Sequence, residues 1–335
     1  MPISPVSSIL RAAVKRDKLN ILTFPTHERY ETGLAKTGHN FYAYQANGIK
    51  EWNSVYGPLP TNYHLLNKEL GEKQIPIHID FDLVLSQNKF GQFQVAEQIA
   101  RQLHLPLVSL EHTLPFPGWS EEYKSALTVL HGDINVFISD YSVGKWGFKD
   151  QTVVRHCVDT DMFQPSDVDR KARVLSVVND WVNRDWCCGF KLWQRVTEGL
   201  PVHPVGASPG LSEAAPSMDA LVREYQESLV FINTSTVSPV PTAMLEAMAC
   251  GCAVVSTDNC MIPEIIEHGV NGFMTNDEAE MRGYVEQLLV DTALAEEMGK
   301  KARETILEKC DKDRFVNEWN TIFERATQVV VNGTR

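Results

Sequence analysis

Short apolar runs rich in β-branched residues alternate with helix-like stretches along most of this chain, a pattern that selects sheets of parallel strands connected by helices. In the first half the runs at 20–24, 40–44, 83–86, 107–110, 134–139 and 152–155 read as strands. Between two of them Val95, Ile99 and Leu103 recur at four-residue spacing beside Ala96 and Ala100, which predicts one apolar helix face. A second series follows the polar segment 164–173, with strands expected at 174–178, 202–205, 229–233 and 253–257. Helices are expected at 218–227, 242–249, 278–289 and 293–308, and a last one at 313–329 carries Phe315, Trp319, Ile322 and Phe323 at helical spacing. Two α/β domains joined near 165–173 account for the 335 residues, since a chain of this length favours two cores over one. Ligands are expected in a cleft between them.

Composition excludes other classes. Hydrophobic residues at 43% and charged residues at 22% are ordinary for globular proteins. No window approaches the ~18 apolar residues of a membrane span, and the N-terminus lacks the apolar core of a signal peptide, so a cytoplasmic location is expected. The seven cysteines include the adjacent Cys187 and Cys188, and Cys250-x-Cys252 lacks the two-residue gap of zinc or redox pairs. Free thiols in a reducing compartment are the simplest reading. The formal charge of -12 is uneven: 15 basic and 17 acidic groups lie in residues 1–165, against 16 and 26 in 166–335. That field disfavours nucleic acid as a partner. Arg11, Lys15, Arg16 and Lys18 form the one early basic run. It reads as the solvated face of an N-terminal helix and leaves a peripheral contact with an anionic membrane surface open.

The stretch from Ser235 to Ser256 is the most informative. A strand ends at Asn233, a Ser/Thr/Pro loop follows, a helix opens at Pro241 or Thr242, Gly251 closes it and a buried strand comes next. A helix N-terminus beside the carboxyl end of a sheet favours phosphate. On the local pattern alone, Glu246 either accepts hydrogen bonds from a sugar's vicinal hydroxyls or merely stabilises the helix dipole.

This segment resembles the signature of the retaining GT-B glycosyltransferases of family 4, in which a Glu, seven residues and a second Glu precede Ala-Met-Ala-x-Gly. The resemblance gives Glu246 the place of the Glu that binds the donor ribose, and puts Ser238 where the family has the Glu that contacts the donor sugar. Pro263-Glu264 before Gly269-Val-Asn271-Gly272 resembles the family's later Pro-Glu and Asn-Gly pairs. The segment 155–165 resembles the one that ends the family's first domain, Gly38-His39 its first helix-to-strand turn, and 107–112 its strand ending in a histidine that faces the donor. In 174–184, Asn179 stands at the family's phosphate-binding Arg and Arg184 at its Lys. A lone arginine still grips phosphate oxygens in bidentate fashion.

The resemblance implies two Rossmann-like domains facing each other across a cleft: 1–165 for the acceptor, 166–312 for the nucleotide-sugar, and a helix, 313–335, crossing back onto the first. It implies transfer from a nucleotide-sugar, with UDP- or GDP-sugars the expected donors, to an acceptor hydroxyl with retention of configuration. The nucleotide-sugar is then a substrate, and no separate cofactor is expected. His112 and Arg184 are the expected catalytic residues, and Arg184, Ser238, Thr242 and Glu246 the expected donor-phosphate and nucleotide contacts. His27, Glu28 and Arg29, in place of the family's glycine-rich loop, either touch acceptor or donor or cap the following helix. Asp80-x-Asp82 and Asp159-x-Asp161 match a metal-binding pattern in unsuitable places, so metal-independent chemistry is expected. Trp181, Trp186 and Trp193 read as packing groups, and Cys187 and Cys188 as a packed turn. A glycan, lipid-linked sugar, protein or small molecule all remain open as acceptor, as does the oligomeric state. The alternatives are a GT-B nucleotide-sugar epimerase, for which the missing first Glu leaves room, a pyridoxal-phosphate phosphorylase, and a non-catalytic nucleotide-sugar-binding relative.

Overall fold

A computed structural model describes residues 17–148, 151–238 and 240–329; Arg11, Lys15 and Arg16 of the basic run lie outside them. The chain divides into two compact units, one reaching Arg155 and resuming at Asp313, the other spanning His156–Lys312.

The first unit contains β1 (Asn20–Thr23), α1 (Glu28–Ala35), β2 (Asn40–Ala43), β3 (Tyr63–Leu65), β4 (Leu83–Ser86), α2 (Phe93–Leu103), β5 (Leu107–Glu111), α3 (Glu121–Ala126), β6 (Ile134–Phe137) and β7 (Thr152–Val153). Its seven strands are parallel, in the order β3-β2-β1-β4-β5-β6-β7. β4, β5 and β6 are buried at every residue, as befits strands covered on both faces. Leu22, Phe24, Val84, Phe93, Ala96, Ile99 and Leu107 share one core cluster. The expected face of α2 is rotated: Phe93, Ala96, Ile99 and Ala100 are buried, while Val95 is 36% exposed. Phe93 and the two alanines let the helix lie close on the sheet, and Val95, Ile99 and Leu103 instead line a groove of about 480 Å³ with Ile75, Ile79 and Phe81.

The second unit contains β8 (Lys171–Val177), α4 (Asp185–Cys188), α5 (Phe190–Val196), β9 (Val202–Val205), α6 (Met218–Gln226), β10 (Ser228–Asn233), α7 (Thr242–Ala249), β11 (Ala253–Ser256), α8 (Ile262–Ile265), β12 (Phe273–Met274), α9 (Glu278–Val290) and α10 (Thr292–Lys309). Its strands are also parallel, ordered β12-β11-β10-β8-β9. Residues 156–165 are tied to this unit, because Val158 N donates to Cys310 O and Arg303 donates to the carbonyls of Thr160 and Phe163.

The chain then enters α11 (Lys312–Thr327), which buries Phe315, Trp319, Ile322, Phe323 and Ala326. Trp319 Nε1 donates to the Tyr30 hydroxyl at 3.1 Å, and the Phe323 ring packs against Phe41. Trp319→Ala removes a fully buried indole and its hydrogen bond, so unfolding in urea should show a loss of about 3–5 kcal/mol.

Candidate functional site

In the second sheet β8 and β10 are neighbours whose onward connections run to opposite sides, and the carboxyl ends of such strands form a crevice suited to ligands. Past the end of β8, Asn179 Oδ1 accepts from Ala207 N at 2.9 Å, and the exposed Arg184 stands at the N-cap of α4. Its Nη1 donates to the Asn179 carbonyl at 3.4 Å. Past the end of β10 the loop is stitched to α4: Thr236 N donates to Cys187 O, Thr236 Oγ1 to Trp186 O and Thr234 Oγ1 to Cys188 O. Gly189 is the pivot of this corner. Its φ of +64 is left-handed, and a Cβ there would stand 2.0 Å from Thr234 O. The loop then leads through the half-buried Ser238 to Pro241 and Thr242, where α7 opens with no side chain capping it. The first amides of α7 and its positive dipole end are thus available beside this crevice.

Glu246 sits in the second turn of α7 but is only 1% exposed, and its Oε2 accepts from the Tyr225 hydroxyl at 2.9 Å. A ligand hydroxyl reaches that carboxylate only after the side chain moves. Cys187 and Cys188 lie in the short helix α4 rather than a bare turn, with sulfurs 3.6 Å apart. The Cys188 thiol, followed by the Arg184 cation, pulls Cys187 down to about 6, while the hydrogen bond to Cys187 and burial push Cys188 up. Trp181 and Trp193 are buried packing groups as expected, whereas Trp186 is 56% exposed.

In the first unit, His27 caps α1, its Nδ1 accepting from Arg29 N at 3.2 Å, and Arg29 is half-buried in the first turn. Glu28 is the first residue of α1. It is 2% exposed, paired with Lys50 at 2.6 Å, and accepts from Asn53 N at 2.8 Å, which pins the loop after β2. His112 follows β5, half-buried, with its ring edge-on to Tyr30 at 4.5 Å and its Nε2 3.3 Å from Gln87 Oε1. In the aspartate pairs, Asp82 accepts from Asn20 N, Asp159 from Met162 N, and Asp161 pairs with Lys312. Among the described residues no group of three or more His, Cys, Asp or Glu is arranged to hold a metal ion.

Two buried polar clusters at these strand ends carry no local sequence signature of their contacts. Glu31 accepts from Tyr63 Oη at 2.8 Å, Gln87 Nε2 at 3.0 Å and Thr26 N at 3.2 Å. Lys89 is 2% exposed, donates from Nζ to Ser109 Oγ at 2.5 Å, and lies over the Phe93 and Phe148 rings. The Lys89 amide donates to Glu111 Oε2, and Glu111 Oε1 accepts from Thr113 N, so one carboxylate fastens the loops after β4 and β5. Burial lowers Lys89 and raises Glu111, each toward its neutral form. The one available hint was the polar run Ser86-Gln87-Asn88-Lys89 directly after an apolar strand.

Burial raises Glu31 from 4.5 to about 7 against the opposing hydrogen bonds of Gln87, Tyr63 and Thr26. The folded chain therefore holds this proton more tightly than the unfolded chain. The resulting stabilisation is complete below pH 4.5 and is lost as pH rises through about 7. Urea midpoints of wild type relative to Glu31→Gln should fall across that window, and parallel profiles would refute the assignment.

None of the described residues forms a helix long and apolar enough to cross a membrane. Residues 214–305 match the family model of glycosyl transferases group 1. N-acetyl-alpha-D-glucosaminyl L-malate synthase of Bacillus anthracis is 37% identical over 82 residues, covering 24% of this chain and 22% of that protein. The chain thus matches about a fifth of the length of this curated relative. Among solved structures, Anabaena HepE in complex with UDP-glucose superposes with a TM-score of 0.72 at 16% identity, covering 92% of this chain and 100% of that one. Sucrose-phosphate synthase from Thermosynechococcus elongatus superposes with a TM-score of 0.68 at 13% identity, covering 92% and 99%. The protein therefore has the α/β GT-B fold, and residues 214–305 of its second unit match the model of glycosyl transferases group 1.

Proposed function

We propose that the protein is a retaining, metal-independent glycosyltransferase of the hexosyl-transferring class, moving a sugar from a nucleotide-sugar to an acceptor hydroxyl. The observation that carries this reading is the exposed Arg184 on a corner stitched to the loop that leads into the uncapped start of α7. A guanidinium and helix-terminal amides suit a diphosphate. They would stabilise the charge that develops on the nucleotide as the glycosidic bond breaks, the largest single catalytic contribution in most such sites.

Donor binding is assigned to the second unit, through Arg184, Ser238, Thr242 and Glu246, and acceptor binding to the first. HepE, the structural neighbour described above, was crystallised with UDP-glucose, which makes a UDP-sugar the first donor to test here, with GDP-sugars second. Glu246 is assigned to the ribose, in a pose reached when its side chain turns away from Tyr225. His112 is assigned to contact with the reacting sugar. The Bacillus anthracis relative is named for a malate glycoside, so small-molecule acceptors belong in the panel with glycans, lipid-linked sugars and proteins. A cytoplasmic site of action fits the cysteine usage. A second reading, a non-catalytic nucleotide-sugar-binding relative, draws support from Asn179 and Ser238, which supply neither a cation nor a carboxylate. Binding of UDP without transfer or hydrolysis of any donor would favour it.

In calorimetry, Arg184→Ala should weaken UDP far more than uridine, and equal losses would contradict a phosphate contact. Glu246→Ala should weaken both UDP and uridine by about 1.5–3 kcal/mol, the range for hydrogen bonds to a charged group, and unchanged affinity would remove the ribose role. With a donor and acceptor in hand, NMR of the product should show the donor's anomeric configuration, and turnover should survive EDTA.

A further inference from the structure

The first unit places a chain of buried side chains behind His112 that its backbone does not require. Gln87 is 0% exposed at the end of β4. Its Nε2 donates to Thr23 Oγ1 at 3.0 Å and to Glu31 Oε2 at 3.0 Å. Glu31 is in turn held by the Tyr63 hydroxyl and the Thr26 amide. Once ionised, above about pH 7, the Glu31 carboxylate only accepts, so the amide nitrogen of Gln87 then faces Glu31 and its Oε1 faces the other way. That oxygen lies 3.3 Å from His112 Nε2 and 3.5 Å from Thr26 Oγ1. An amide oxygen also only accepts, so the proton of the neutral imidazole is drawn to Nε2.

We propose that Gln87, oriented by Glu31 and Thr23, is the positioning residue for His112, holding the imidazole in one rotamer with its proton on Nε2. The ring's lone pair is then on Nδ1, which sets His112 to accept a hydrogen bond there rather than donate one while neutral. The Tyr30 ring, edge-on at 4.5 Å, limits rotation of the same imidazole. Tyr30 is fixed by the Trp319 indole. Two elements thus converge on one side chain: the carboxyl end of β4 sets its proton, and α1 sets its plane. The value of this arrangement to catalysis rests on the assignment of His112 to sugar contact. The arrangement itself does not, so it can be tested without a substrate.

The test is 15N NMR of imidazole-labelled protein, with the His112 signals identified by their loss in His112→Ala. Wild type should show the Nε2-protonated tautomer above the imidazole's titration. In Gln87→Met, which keeps side-chain length and removes the amide, the preference should collapse toward a mixture and the His112 titration midpoint should move. Thr23→Val removes one anchor of Gln87 while leaving the amide in place, and should give a partial change in the same direction. Gln87→Glu restores an acceptor opposite Nε2 and should return the tautomer while raising the titration midpoint. Circular dichroism melts identify variants that remain folded. An Nδ1-protonated ring in wild type, or identical tautomer and titration in wild type, folded Gln87→Met and folded Thr23→Val, would overturn the proposal. Loss of UDP binding in none of the donor-site variants would instead overturn the glycosyltransferase reading and leave these spectra untouched.

Discussion

All strands within each sheet run in one direction, so within each unit every strand delivers its carboxyl end to the same edge. That constraint gathers polar loop residues there while the strands below remain buried. Burying a polar group without a partner costs roughly 2–7 kcal/mol, so the groups just beneath the edge must satisfy one another. In the first unit Thr23, Gln87, Ser109 and Glu111 do this, and in the second Asn233 bonds the Ser256 hydroxyl and Thr257 the Ser235 carbonyl. Networks of this kind rigidify the edge, and a rigid edge holds functional side chains in place without help from a ligand.

Electrostatics in the second half of the chain set a different constraint. Residues 166–335 carry 16 basic and 26 acidic groups, a field that repels a nucleotide at long range. At physiological ionic strength that repulsion decays over about 8 Å, so under the proposed function Arg184 would attract donor phosphates only at close range. The proposed function therefore rests on geometry at short range, which is what a planar guanidinium and oriented amides supply.

The alternation of strands and helices made much of the architecture legible. β4, β9 and α7 begin and end where the apolar runs and turn residues place them. β3 and β12 escape such a reading because strands of three and two residues show no period. α4 and α5 escape it because helices of four and seven residues meeting at Gly189 are too short to show a helical period. Arg184, Ser238 and Thr242 are legible as loop and helix-start residues beside strand ends. The partners of His112 are not. Glu31 and Gln87 are 56 residues apart, and sheet order alone brings them together. The burial of Glu246 is equally hidden, since the hydroxyl that holds it comes from α6 and no local spacing announces that contact.

The close approach of Gly189 to the Thr234 carbonyl restricts which side chains this position can carry. Any substitution there drives a Cβ into a backbone oxygen 2.0 Å away and pries the helix from the strand end. Variation at this corner is therefore open to residues around the hinge point, such as the exposed Trp186, and closed to Gly189 itself.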